Sequence, residues 1–164
     1  MSYATKQLAQ SYPDRSPKAL SEMILIGKVL ALESFRQIIF NPKLTTTEKK
    51  NIITEIFAQN LSQNSINFLV FLLEENSLKE YDKILSEFKK ILKNDHIAIS
   101  GTITSATNVD PNEKEKLEHD LSQKIGMPVV LETVVKSSLI GGVILEVEGQ
   151  TFDNSFQYKL SRLR

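Results

Sequence analysis

Apolar residues in the first 94 positions recur every three to four residues, which is the spacing of an amphipathic α-helix. Five such segments follow one another with short connections, at about residues 3–12, 16–40, 45–57, 62–73 and 77–92. The fourth segment carries apolar residues on all sides, which is typical of a helix at the centre of a bundle. The pattern therefore predicts an all-helical bundle.

Polar residues and prolines mark the ends of these helices. Ser16-Pro17 has the form of an N-cap followed by proline at the first helical position. Thr45-Thr46-Thr47-Glu48 and Ser77-Leu78-Lys79-Glu80 both match a capping box, and Ser62 is expected to cap the fourth helix. Asn41-Pro42 ends the second helix, because the residue before a proline is pushed out of the α-helical region.

After Asn94 the hydrophobic period changes to two, which indicates half-buried β-strands. The alternation from Ile97 to Ile103 predicts a first strand, and the apolar runs at 129–135 and 143–147 predict two more. Between the first two strands, Asp110-Pro111 begins a helix that ends at Gly126. That helix carries one apolar stripe, formed by Leu117, Leu121 and Ile125.

The last residues predict a turn at Gly149-Gln150 and then a short helix capped at Asp153-Asn154-Ser155. The predicted fold class is α+β, with an all-helical bundle at residues 1–94 followed by a small βαββ domain with a terminal helix at residues 95–164.

Composition excludes several classes of function. Lysine plus arginine and aspartate plus glutamate both number 20, so neither a nucleic acid nor an anionic membrane is expected as a partner. The chain has no cysteine, which excludes a disulfide scaffold and a thiolate metal site. The densest apolar run, Ile66 to Leu73, is far shorter than the roughly 20 residues of a membrane-spanning helix. We therefore expect any membrane association to come through another protein.

The residue types of catalysis occur without the spacing that catalysis needs. Gly141-Gly142 lead into a strand, whereas the glycines of a phosphate-binding loop lead into a helix, so a tight turn is the better interpretation. His96 and His119 have no supporting motif, and Asp153 with Ser155 is better explained as an N-cap. We expect no catalytic residue, no metal site and no cofactor.

Apolar helix surface remains as the candidate for function. Three helices carry apolar side chains that either complete the protein's own core or contact a partner helix. The candidates for partner contact are Tyr3, Leu8 and Tyr12 in the first helix, Tyr81, Leu85 and Phe88 in the fifth, and Phe156, Leu160 and Leu163 in the terminal helix.

The C-terminal motif resembles that of a known family. Leu139-Ile140-Gly141-Gly142 precedes an apolar strand, and Asp153 and Ser155 precede a helix with basic residues. This order is similar to the signature of the delta subunit of rotary ATP synthases, which is the oligomycin-sensitivity-conferring subunit in mitochondria. Weaker likenesses, such as Asn41-Pro42 before Thr45, extend over nearly the whole chain. The sequence departs from the family pattern at Asn154, where glycine is common.

The resemblance implies a non-catalytic stator subunit. In the family, the helical domain binds N-terminal segments of the alpha subunits of the catalytic head, and the C-terminal domain binds the b-type peripheral stalk. It also implies a peripheral membrane location, on the cytoplasmic face of the bacterial inner membrane or the stromal face of the thylakoid. The alternative is a small RNA- or ribosome-binding module, which requires a basic face or a Gly-x-x-Gly loop, and neither is found in the sequence. An enzyme with a motif-free site is a third interpretation.

Overall fold

The chain forms two compact units, Met1–Leu92 and Lys93–Arg164. The computed structural model describes residues 2–139 and 141–153, and of Ser2 and Tyr3 it describes the backbone alone. The fold is of the α+β class, as the sequence predicts.

The first unit is helical throughout its regular structure. Its helices are α1 (Ser2–Ser11), α2 (Pro17–Ala31), α3 (Glu33–Ile39), α4 (Thr46–Phe57), α5 (Gln63–Glu74), a 3₁₀ helix (Leu78–Glu80) and α6 (Tyr81–Asn94). The prediction of one helix from Ser16 to Phe40 is wrong, because the chain breaks at Leu32, which adopts an extended conformation with φ −68° and ψ 124°. The break leaves Leu32 exposed and lets α3 bury Phe35 and Ile39. No proline or glycine marks this position, so the hydrophobic spacing runs through the break undisturbed.

The predicted helix starts are confirmed at three of four positions. Ser16 and Ser62 each accept a hydrogen bond from the backbone amide three residues later, and Thr45 forms the complete capping box with Glu48. The capping box predicted at Ser77 is wrong. Ser77 already has helical backbone angles, and its carbonyl oxygen accepts from the Glu80 amide in a 3₁₀ turn, so its side chain does not cap a helix.

The core of the helical unit surrounds α5, as the apolar residues on all its sides predict. Leu69 and Leu72 of α5 are fully buried, and Phe68 is 4% exposed. The Tyr12 ring meets the rings of Phe68 and Phe88 edge-to-face, at centroid distances of 4.9 and 5.2 Å. Edge-to-face pairs at these distances contribute roughly 0.5–1.5 kcal/mol each beyond the area they bury. The segment that follows α1 is therefore fixed against both α5 and α6.

The second unit contains a four-stranded sheet in the order β2-β1-β3-β4. The strands are β1 (Ile99–Ser105), β2 (Val129–Val135), β3 (Val143–Val147) and β4 (Gln150–Asp153), and α7 (Pro111–Ile125) connects β1 to β2. β1 pairs parallel to β2 and antiparallel to β3, and β3 pairs antiparallel to β4, so the βαβ crossover and the β3–β4 hairpin share one sheet. Asp110 caps α7 and Gly126 ends it in the left-handed conformation, as predicted.

The end of the described chain differs from the prediction. Glu148 and Gly149 both have positive φ, 53° and 75°, and Gln150 pairs with Val147, so a two-residue turn joins β3 to β4. Gln150 thus begins a strand instead of completing a turn, and Asp153 ends that strand. The predicted terminal helix after Asp153 lies outside the described residues.

One face of the sheet holds the core of this unit. Ile99, Ile103, Val129, Leu131 and Val147 are buried there, and Leu117 and Leu121 of α7 pack against them. Ile125, the third member of the predicted stripe, is 43% exposed and is not among the residues that pack on this core.

Candidate partner-binding surface

Most of the candidate contact residues that the structure describes lie in the core of the helical unit. Tyr12, Tyr81 and Phe88 are at most 2% exposed, Leu85 is 9% exposed, and Leu8 is half-buried. The side chain of Tyr3 and the residues Phe156, Leu160 and Leu163 lie outside the described residues. The four buried side chains stabilise the unit, and a partner would contact other side chains first. A role in partner binding for the nine candidates stays a prediction.

Tyr12 belongs to a buried polar chain that joins the end of α1 to α2 and α5. The Ser65 hydroxyl donates to the Glu22 carboxylate, and because Ser65 has one hydroxyl proton, the Tyr12 hydroxyl donates to Ser65. Ser62, the N-cap of α5, also donates to the Glu22 carboxylate, from its hydroxyl at 2.6 Å and from its backbone amide at 3.1 Å. The carboxylate of α2 thereby holds the first turn of α5.

The pKa values of this chain reflect burial and hydrogen bonding. Burial by itself raises the pKa of the Glu22 carboxyl, but the hydrogen bonds from Ser62 and Ser65 outweigh it, and the pKa lies below its ordinary 4.5. Burial raises the pKa of Tyr12, and it raises the pKa of Tyr81 well above its ordinary value. The Tyr81 hydroxyl donates to the carbonyl of Met23 at 2.8 Å. Glu22 is therefore an anion at neutral pH, and both tyrosines are neutral. The hydrogen bonds among Tyr12, Ser65, Ser62 and Glu22 thus stabilise the fold.

An open groove lies beside this polar chain, between the end of α1 and α5. Its volume is about 300 Å³, and its lining residues are Ser11, Pro13, Asn64, Asn67, Phe68 and Phe71. Phe71 is 38% exposed, whereas Phe68 below it is nearly buried. We name this feature the α1–α5 groove. It combines aromatic carbon with amide and hydroxyl groups and contains no charged residue, which suits the apolar face of a partner helix.

The sequence did not single out the residues of the α1–α5 groove. Apolar residues surround α5, so the pattern alone does not separate Phe71, which is exposed, from Phe68, which is buried. Phe71 follows Asn64 and Asn67 at helical spacing, and these two amides mark a face that lies outside the core.

The C-terminal motif forms a strand entry. Leu139 is buried, with its amide donating to the carbonyl of Lys136 at 3.0 Å. Gly142 has φ 82°, a conformation that residues with a Cβ atom rarely adopt, immediately before β3. Gly141 precedes it, and Asp153 ends β4. Ile140 and Ser155 lie outside the described residues.

The described part of the chain offers neither a metal cluster nor a membrane-spanning helix. Among residues 2–139 and 141–153, no three histidine, aspartate or glutamate side chains lie close enough together to hold a metal ion. In the same part of the chain, no helix has the length and apolar character needed to span a membrane.

Comparison with known proteins gives a consistent result. The family model described as ATP synthase delta (OSCP) subunit matches residues 8–164. The ATP synthase subunit delta of Lactobacillus acidophilus is 32% identical over 145 residues, which cover 87% of this chain and 79% of the relative. The subunit delta of Clostridium acetobutylicum is 28% identical, over 80% of this chain and 74% of the relative. That of Protochlamydia amoebophila is 29% identical, over 89% and 80%.

A solved structure shares the fold. One chain of the cryo-EM structure of the Toxoplasma gondii mitochondrial ATP synthase hexamer superposes with a TM-score of 0.54. The superposition covers 99% of this chain and 92% of that chain, at 16% sequence identity. At this identity the likeness concerns the fold alone.

Proposed function

We propose a function from the family to which the chain belongs, the ATP synthase delta (OSCP) subunit family. The chain is a non-catalytic stator subunit of a rotary proton-translocating ATP synthase. It links the top of the catalytic head to the b-type peripheral stalk. The complex is membrane-associated, and we place this subunit on the cytoplasmic face of the bacterial inner membrane, or on the stromal face of the thylakoid if the chain is plastid-encoded.

The division into two compact units is the observation that best supports this proposal. Met1–Leu92 and Lys93–Arg164 each have their own core, one around α5 and one on the sheet face that α7 covers. A linker between two different partners requires two surfaces that fold and bind separately. We assign residues 1–94 to the catalytic head and residues 95–164 to the stalk.

The α1–α5 groove is the proposed site for the N-terminal segment of an alpha subunit. A helix in this groove would cover Phe71 and extend the aromatic cluster of Tyr12 and Phe68. Because Phe71 is only 38% exposed, covering it contributes a part of the about 1.5–3 kcal/mol that full burial of an apolar side chain of this size gives. Apolar burial favours slow dissociation, because rim charges mainly affect the rate of association. A joint that resists torque needs slow dissociation.

The mechanism is mechanical. The rotor applies torque to the head during ATP synthesis, and the joint prevents the head from turning with the rotor. Hydrolysis chemistry belongs to the head, so this subunit needs no catalytic group of its own.

Cutting the chain between the two units tests the stator role. Membranes that carry a protein cut between Asn94 and His96 should lose ATP-driven proton pumping, measured by a pH-sensitive dye, while the head still hydrolyses ATP. The uncut protein with Glu113→Lys is the control and should pump normally, because an exposed charge of this kind contributes only about 0–1 kcal/mol. Intact pumping after the cut would contradict the stator role.

A single substitution tests the groove. Phe71→Ser should weaken binding of the alpha N-terminal peptide at least tenfold in calorimetry with the full chain. Ile56→Ser is the matched control, since Ile56 is also a large apolar residue on a helix surface, at 44% exposure, and does not line the groove. Equal loss of affinity in both variants would remove the groove from the proposal.

A further inference from the structure

A second pocket of the helical unit has a cationic rim. Its apolar floor is formed by Ile39, Phe40, Leu73 and Leu78, where α3, α5 and the 3₁₀ helix meet, and its volume is about 210 Å³. Lys49 and Lys79 lie on its rim. We name this feature the Phe40 pocket. None of its lining residues is acidic.

A third cation lies close to the same aromatic ring. The guanidinium of Arg36 and the ammonium of Lys79 lie 5.8 and 5.9 Å from the centre of the Phe40 ring. A smaller adjoining pocket of about 60 Å³ is lined by Arg36, Lys79 and one acid, Asp82. Each cation–π contact contributes roughly 0.5–1 kcal/mol at an exposed site. The ring holds both cations in place but does not neutralise them.

The cations of the rim have no carboxylate partner in the described part of the chain. No salt bridge there involves Arg36, Lys49 or Lys79, although other lysines of the same unit, Lys50 and Lys83, pair with glutamates. Lys49 and Lys79 on the rim and Arg36 beside the Phe40 ring carry like charges that repel each other, and an anion placed among them would relieve this repulsion. The unpaired charge therefore favours an acidic occupant.

The size of the pocket indicates what kind of acidic occupant it fits. Sites for small molecules usually measure about 300–1,000 Å³, and 210 Å³ is less than that. An apolar floor under a cationic rim suits one large apolar side chain flanked by carboxylates. We propose that the Phe40 pocket binds an acidic segment of a partner protein, which inserts one leucine or phenylalanine onto Phe40 and pairs its carboxylates with Lys49, Lys79 and Arg36.

This surface is separate from the α1–α5 groove. Asn64, Asn67 and Phe71 line that groove, whereas Leu73 contributes to the Phe40 pocket. Two residues along an α-helix turn the side-chain direction by about 200°, so Phe71 and Leu73 point to opposite sides of α5. The helical unit can therefore hold two segments at once, and the inference does not depend on the stator role.

Peptide titration into the full chain tests the inference. The probe is a 15-residue helical peptide with one central leucine and glutamates at the positions three and four residues to either side. Its matched control has glutamine in place of every glutamate. Binding is followed by amide chemical shifts. We expect the acidic peptide to shift the amides around Phe40 and Leu78, and the glutamine peptide to bind at least tenfold more weakly.

Protein variants assign the effect to the rim. Lys49→Glu with Lys79→Glu should raise the Kd of the acidic peptide at least tenfold, whereas Lys116→Glu, an exposed lysine on α7, should leave it unchanged. Thermal melts establish that both variants are folded. Absence of amide shifts at millimolar peptide, or equal loss of affinity in Lys116→Glu, would overturn the inference. Inorganic pyrophosphate that shifts the same amides with equal or higher affinity would overturn it in favour of a small-anion site.

Discussion

The core of the sheet leaves little room for a side chain at Gly101. It lies on β1, the strand that pairs with both β2 and β3, and it faces Leu131 and Val147. A Cβ atom built there would lie 2.6 Å from a methyl carbon of Val147, 2.8 Å from one of Leu131, and 2.9 Å from the backbone oxygen of Glu146. All three distances are below the roughly 3.5–4.0 Å at which carbon atoms attract each other best.

The size of the Gly101→Ala effect follows from these contacts. Two neighbours are side chains that can rotate, but the third is the backbone of a paired strand and cannot move without breaking the sheet. Overpacking of this kind costs about 1–3 kcal/mol. Replacing glycine restricts the unfolded chain and returns about 0.4–1 kcal/mol. We expect a net destabilisation of about 1–2 kcal/mol, confined to the unit Lys93–Arg164.

The assay is thermal unfolding of the full chain followed by amide signals of each unit. In a domain of this size, 1 kcal/mol lowers the Tm by about 4–8 °C. Gly27→Ala is the matched control, because Gly27 lies inside α2 and its added Cβ would be 3.4 Å from its nearest neighbour, a methyl carbon of Leu85. This variant should be neutral or more stable by up to about 1 kcal/mol. An unchanged or higher Tm of the sheet signals in Gly101→Ala would refute the packing argument.

Two further predictions concern the strand entry and the buried carboxylate. Gly142→Val should destabilise the second unit by about 1–3 kcal/mol through backbone strain at φ 82°, with helical signals unchanged in the same melt; a nucleotide-binding defect at unchanged stability would instead support a phosphate cradle. Glu22→Gln should destabilise the helical unit by about 1–3 kcal/mol at pH 7 in urea unfolding. Because folding lowers the Glu22 pKa below 4.5, the wild-type advantage is present above that pH and is lost as the pH falls through the folded pKa. A difference between the two proteins that persists undiminished at pH 2 would contradict this assignment.

The sequence predicted most of the features that local chemistry determines. The capping box at Thr45, the N-cap at Asp110 and the left-handed Gly126 are interactions within a few residues, so the residue types suffice to locate them. The local pattern failed at Ser77, where a 3₁₀ turn replaces the predicted capping box, and other errors concern the direction of the chain. Leu32 interrupts a helix without a breaking residue, because burial of Phe35 and Ile39 requires a change of direction there. Gln150 joins a strand because a two-residue turn ends one position earlier than expected.

The candidate surface was harder to predict than the fold. An apolar stripe on a helix has the same appearance whether it meets the protein's own core or a partner, and the structure buries Tyr81 and Phe88. Glu22, the carboxylate that holds the first turn of α5, lies 40 positions before Ser62, and no local pattern connects two residues so far apart.

Helix α5 links the features that we propose to be functional. Its first turn is held by the Glu22 carboxylate through Ser62 and Ser65, one of its faces lines the α1–α5 groove, and Leu73 on another face reaches the Phe40 pocket. Leu69 and Leu72 between them are fully buried, so the helix moves only together with the core. A force applied through a segment bound at either site is therefore passed to the whole helical unit instead of bending one exposed element. This property is what a joint under torque requires, and a groove built on a surface loop would not provide it.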